Sequence, residues 1–82
     1  MGVLTMSLQL VNGAEVVASI CLPADTTGVL CLYRGQYVVW AAFLPTDGHT
    51  DGKWYCVDGV YCDDLAQARR VFCNRFLNGW NA

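Results

Sequence analysis

Tyr37-Val38-Val39-Trp40-Ala41-Ala42-Phe43-Leu44, closed by Pro45, is the stretch whose reading decides the fold. Side chains of a strand alternate between its two sides. Tyr37, Val39, Ala41 and Phe43 therefore share one face and Val38, Trp40, Ala42 and Leu44 the other, and both sets are apolar. A strand with one wet face does not carry such a run. This one is buried on both sides, and the rest of the chain has to provide a cover for each.

Downstream, Lys53-Trp54-Tyr55-Cys56-Val57-Asp58 reads as a further strand, with Gly59-Val60-Tyr61-Cys62 as its extension. Asp63-Asp64 then starts a helix. Either carboxylate can cap the free N–H groups and complement the positive helix end, and Gln67 stands three residues after Asp64 as a capping-box partner. Leu65, Ala68, Phe72 and Phe76 recur at steps of three, four and four and form one apolar stripe, flanked by Arg69 and Arg75; Asn78-Gly79 ends the helix. Such a helix, about fifteen residues and roughly 22 Å long, covers one face of a small sheet and leaves the other to be covered differently.

Upstream, Leu4-Thr5-Met6-Ser7-Leu8-Gln9-Leu10 alternates strictly between apolar and polar residues, the period of a strand with one wet face. Val16, Ala18, Ile20 and Leu22 follow on a second strand. A three-residue bulged turn at Val11-Asn12-Gly13, with Gly13 left-handed, would pair Leu10 with Ala14, Leu8 with Val16, Met6 with Ala18 and Leu4 with Ile20. Residues 23–28 are a connection. Val29 to Tyr33 forms the third strand and turns at Arg34-Gly35 into the central one. The expected fold is α+β: an antiparallel β-meander of about five strands (3–11, 14–22, 29–33, 36–44 and 53–62) with one C-terminal helix (64–78) packed on one face, all within a single domain, 1–82.

Composition narrows the function. The chain has 82 residues, 55% of them hydrophobic but only 15% charged, with three Trp and four Tyr. Charged residues fall below the roughly 25% usual in globular proteins, so the surface is expected to be apolar enough to meet a partner. A formal charge of −2 gives no basic field for general nucleic-acid binding, and it is too small for a mimic of DNA phosphate. The longest apolar runs fall well short of the ~20 residues that span a bilayer, and no basic region precedes an apolar block near Met1. A cytoplasmic protein without a membrane segment is expected.

Five cysteines, Cys21, Cys31, Cys56, Cys62 and Cys73, are an odd number, and most sit in apolar periodic segments where a free thiol acts as a small hydrophobe. Zinc ligation would want a Cys-x-x-Cys pair, which is absent, and the chain has a single His. In the polar loop, Asp47, His49, Asp51, Gly52 and Asp58 fall at positions one, three, five, six and twelve of an EF-hand-like loop. Position three prefers Asp or Asn, however, and the flanks read as strands, so an ordinary hairpin loop is preferred. No catalytic residue, metal or cofactor is expected.

Supply and demand point to binding. With one helix for two apolar faces, the second hairpin should present its aromatics, Tyr33, Tyr37, Trp40, Trp54, Tyr55 and Tyr61, to a protein partner or to a second copy in a homodimer. The run from Tyr37 through Asp51-Gly52-Lys53-Trp54-Tyr55 to Asp63-Asp64 and Ala68-Arg69-Arg70-Val71-Phe72 resembles the hairpin-plus-helix half of small proteins encoded by phages and mobile elements. In general character the chain is similar to anti-CRISPR proteins, small inhibitors that occupy a surface of a bacterial defence nuclease complex. The resemblance implies a non-enzymatic inhibitor and carries no site residues with it. The alternatives are a small metal-dependent or thiol enzyme using the 47–58 loop, and a structural homo-oligomer with no separate activity.

Overall fold

The computed structural model describes residues 8–78. Four antiparallel strands, β1 (Glu15–Leu22), β2 (Thr26–Tyr33), β3 (Gln36–Phe43) and β4 (Tyr55–Cys62), lie side by side in chain order and are followed by helix α1 (Leu65–Cys73), which runs on into a π-helical turn at Asn74–Asn78. The α+β class and the antiparallel sheet with a C-terminal helix are as the sequence implies. Among the described residues the strand count is four rather than five. Residues 3–7 of the expected first strand (3–11) lie outside the described residues.

The turns follow from their residues. β2 and β3 meet at Arg34 and Gly35, both left-handed (φ 52° and 79°), and Tyr33 pairs with Gln36 across them, the two-residue hairpin geometry that matches strand twist. β2 begins at Thr26, three residues earlier than expected. The connection from β1 is only Pro23, Ala24 and Asp25, and Thr26 and Thr27 already pair with Leu22 and Cys21.

The central strand divides its side chains between two cores. Val38, Trp40 and Ala42 join Val29, Cys31 and Leu10 on one face; Val39 joins Leu30, Cys62, Ala68, Phe72 and Phe76 on the other. The helix covers this second face. Phe76 lies over Gly28, where an added Cβ would stand 2.6 Å from its ring, so a side chain at 28 would hold the helix off the sheet. Of the expected stripe, Ala68, Phe72 and Phe76 are buried, while Leu65, at the helix start, is 37% exposed.

The first face, expected to present its aromatics to a partner, is covered from within the chain. Leu10 does not pair with Ala14. It makes a parallel bridge to Trp54, with Val11 N–H donating to Trp54 O (2.9 Å) and Trp54 N–H to Gln9 O (2.8 Å). The chain then turns through Gly13, whose N–H donates to Leu10 O at 3.0 Å and whose φ is 78°. Leu10 is thereby laid into the sheet face and is 3% exposed. Burying Leu10 over Trp40 and Val29 removes more apolar surface from water than adding one more pair at the edge of the sheet.

The reading of β1 needs a second correction. A bulge between Val16 and Ala18 shifts the register: Val16 packs on the Leu10 side, while Ile20 and Leu22 pack on the helix side. One extra residue flips every later side chain, so the even-numbered positions of β1 do not share a face.

A candidate protein-docking surface

The six aromatics singled out in the sequence separate into three environments. Tyr33, Trp40 and Tyr61 form a row of edge-on rings on the face away from the helix, with centroids 5.6 Å apart for the first pair and 6.1 Å for the second. Trp40 is 6% exposed and belongs to the core, Tyr33 is half-buried beneath the Arg34 guanidinium, and Tyr61 is 54% exposed. Trp54 is half-buried in the same cluster, and its backbone holds the N-terminal segment in place. Tyr37 is half-buried against the helix-side core. Tyr55 stands on the helix side of the sheet but outside that core and is 38% exposed.

Tyr55 brings a group of residues that the sequence reading missed. Its register partner is Phe43, and the two rings lie nearly parallel, 5.8 Å apart at 21°. Among the described residues the helix places its last buried ring, Phe76, over Gly28, whose register partner is Ala41, and Phe43 lies two pairs farther along, the next position on that face. The ring of His49 leans on Tyr55 at 5.6 Å and 44°. Val57, Val60 and Leu65 are also exposed. A comparison of helix length with strand length is the signal that finds Phe43: the strand outruns its cover.

Electrostatics distinguish this side of the molecule. Of the seven acidic residues, Asp47, Asp51, Asp58, Asp63 and Asp64 fall between positions 47 and 64, with Lys53 the single Lys or Arg among them. Oδ1 of Asp47 accepts both the His49 N–H (3.1 Å) and a contact from His49 Nδ1. These bonds hold the Asp47 carboxyl below its usual range, the backbone N–H first among the causes and the side-chain bond next. Asp58, which the calcium-loop reading needed at its twelfth position, lies instead in β4 beside Arg75, with Oδ2 3.9 Å from Nη2. Among the described residues no three of His, Cys, Asp and Glu gather as a metal site.

Arg75 fixes the shape of β4. Its Nη1 donates to the carbonyl oxygens of Asp58 and Val39, at the point where β4 bulges between the partners of Val39 and Ala41. Asp58 is left-handed there (φ 55°). The bulge turns Tyr61 onto Trp40 while leaving Tyr55 and Val57 on the helix side.

Cys31 and Cys56 are not poised for chemistry. Burial pushes Cys31 up to about 12, with the neighbouring Cys56 adding to the shift, and pushes Cys56 itself up to about 11. A thiol so shifted is not a nucleophile at neutral pH. Two of the concavities among the described residues bear on this. One, of about 700 Å³, separates residues 8–10 from the edge of β1; the other, of about 350 Å³, lies between Cys21, Thr27, Leu44 and Trp54. Neither is lined by His49, the chain's single imidazole base. No helix among the described residues is long and apolar enough to cross a membrane. No family model, curated protein or solved structure matches the chain.

Proposed function

We propose that the chain is a non-enzymatic protein-binding module that docks on a partner through the β4 side of its sheet. One observation carries the reading: among the described residues, seven of the nine exposed large hydrophobics (Phe43, Leu44, Tyr55, Val57, Val60, Tyr61 and Leu65) fall between the end of β3 and the start of α1. Single exposed apolar residues are ordinary, but a run of them along one edge strand, with Tyr and Phe among them, has the composition of an interface. The working surface is therefore narrower than the six aromatics of the sequence reading. It keeps Tyr55 and adds Phe43 and Val57 on the helix side of the β4 edge, with Tyr61 on the opposite face of the same edge strand, and leaves Trp40 as a support.

The setting we propose is the one the resemblance implies: an inhibitor of phage type that occupies a surface of a bacterial defence complex. Docking is through apolar and aromatic contact, since a net charge of −2 is too small for phosphate mimicry. The test is binding of the purified chain to assembled CRISPR effector complexes, with Tyr55→Ala, Tyr61→Ala and Val57→Ser in parallel. Loss of binding by ~1–4 kcal/mol in variants whose melting temperature stays near that of the parent supports the reading. Binding that survives all three substitutions sinks the proposed surface, and no binding to any complex sinks the proposed setting.

A further inference from the structure

Resting on that docking reading, we propose that the Phe43–Tyr55 pair, with His49 and Asp47, is the seat for an arginine side chain of the partner, and that the partner's contacting segment is basic. The geometry is that of an open platform. Two nearly parallel rings, 41% and 38% exposed, are continued by the His49 ring at 44° to Tyr55, and His49 in turn holds the Asp47 carboxylate. The contacts form one chain: Asp47, His49, Tyr55, Phe43. Both contacts to Asp47 fall on Oδ1, so Oδ2 faces outward without a hydrogen-bond partner among the described residues.

The chemistry selects a guanidinium. Aromatic faces are negative and attract cations, and the planar, weakly hydrated guanidinium stacks on flat rings as an ammonium does not, while its fork can donate to a carboxylate beside them. The molecule already uses this contact twice. Arg34 sits 5.1 Å over Tyr33 and Arg75 sits 5.0 Å over Phe76. Tyr55 and Phe43 have the same faces and no arginine of their own among the described contacts. The loop that leads into Tyr55 carries Asp47 and Asp51 against one cation, Lys53, a negative field that draws in a basic partner and turns away an acidic one. The same field disfavours a second copy offering its own β4 side. A second copy could reach the platform with an exposed arginine, Arg34, Arg69 or Arg70.

The full chain, observed by NMR, tests this with two small probes of equal size: N-acetyl-arginine methylamide and its uncharged analogue, N-acetyl-citrulline methylamide. The arginine probe should shift the ring resonances of Phe43, His49 and Tyr55 with millimolar affinity. Binding of the citrulline probe should be about fivefold weaker or absent. Asp47→Asn should weaken the arginine probe, and Tyr55→Ala should abolish its effect with the rest of the spectrum unchanged. Equal affinity for both probes, or shifts confined to other residues, overturns the proposal. The docking reading fails separately: partner binding that persists in Tyr55→Ala, Tyr61→Ala and Val57→Ser while arginine still seats on the rings removes the docking surface and leaves the cation site. Sedimentation of the parent and of an Arg34→Ala, Arg69→Ala, Arg70→Ala triple variant is the last arm. A dimer that the triple variant disperses makes the occupant a second copy and overturns the partner assignment; a monomer in both, or a dimer that the triple variant keeps, leaves the platform to a partner's arginine and supports it.

Discussion

Gly59 lies directly against the indole of Trp40: a Cβ built at position 59 would stand 2.8 Å from Cδ1 of that ring and closer still to Nε1. Trp40 cannot give way, because Tyr33 and Tyr61 stand edge-on to it and it is 6% exposed. Gly59→Ala should therefore destabilise the fold by about 1–3 kcal/mol, the range for overfilling a packed site. Gly28→Ala should do the same through Phe76, on the opposite face. Urea unfolding midpoints measure both, and a midpoint unchanged in Gly59→Ala would show that Trp40 is not held as described.

Arg75 supplies the second prediction. Its guanidinium bonds two carbonyl oxygens at the β4 bulge, and its ion pair with Asp58 is long, 3.9 Å, with the Asp58 side chain 83% exposed. The carbonyl bonds should carry the stability and the ion pair almost none, since exposed pairs are screened and floppy. Arg75→Met should cost about 1–3 kcal/mol by leaving the Val39 and Asp58 carbonyls unpaired. Asp58→Asn should stay within about 0.5 kcal/mol, because Asn also tolerates the left-handed backbone there. The reverse ranking in thermal melts would make the ion pair the important contact.

These two sites show where sequence reading reached and where it stopped. β3 was legible because a run of apolar residues finds its home between two layers, as Val38, Val39, Trp40 and Ala42 do, although the run overshoots its covers at Phe43 and Leu44. The helix start was legible because Asp64 does accept the Gln67 N–H at 2.7 Å, while Gln67 Oε1 reaches back to the Asp63 N–H. The bulges at Val17 and Asp58-Gly59 left no such mark. An inserted residue changes which face every later side chain takes without changing the composition of the strand. That is why the aromatics could be named but not assigned to faces, and why Val16 and Ile20 looked like neighbours on one side. The bridge from Leu10 to Trp54 was invisible for another reason: a parallel contact between distant segments has no local periodicity to announce it.

A third prediction concerns alkaline pH. Cys31 is raised from its ordinary 9.0 to about 12, chiefly by burial. Below pH 9 the thiol is protonated in both folded and unfolded chains and has no effect on the balance. As pH climbs from about 9 toward 12, the unfolded chain releases the proton and the folded one does not, so stability should fall across that window. Cys31→Val fills the same buried position without a titrating group. The difference in stability between parent and variant should be flat up to pH 9 and then drift in favour of the variant. A difference that stays constant to pH 11 would mean that the thiol titrates alike in both states.

The last prediction tests the cover on the face away from the helix. The helix satisfies Leu30, Val39 and Cys62, and Val29, Val38 and Trp40 on the other side are buried with the help of a short N-terminal segment. Leu10 is the centre of that segment, 3% exposed, and Leu8 packs beside it while Gln9 points to solvent. Leu10→Ala should then cost about 2–5 kcal/mol, as for a large aliphatic side chain removed from a core. Gln9→Ala should be near neutral, because Gln9 serves the structure through its backbone carbonyl, which accepts the Trp54 N–H. A second readout separates loss of the cover from general weakening. With Leu10 gone, the indoles of Trp40 and Trp54 should become accessible to a quencher such as acrylamide under conditions where the helix is still folded by circular dichroism. If Leu10→Ala melts as a single unit with no prior exposure of tryptophan, the segment is an integral part of one cooperative core. If the variant is as stable as the parent, Leu10 does not cover this face at all.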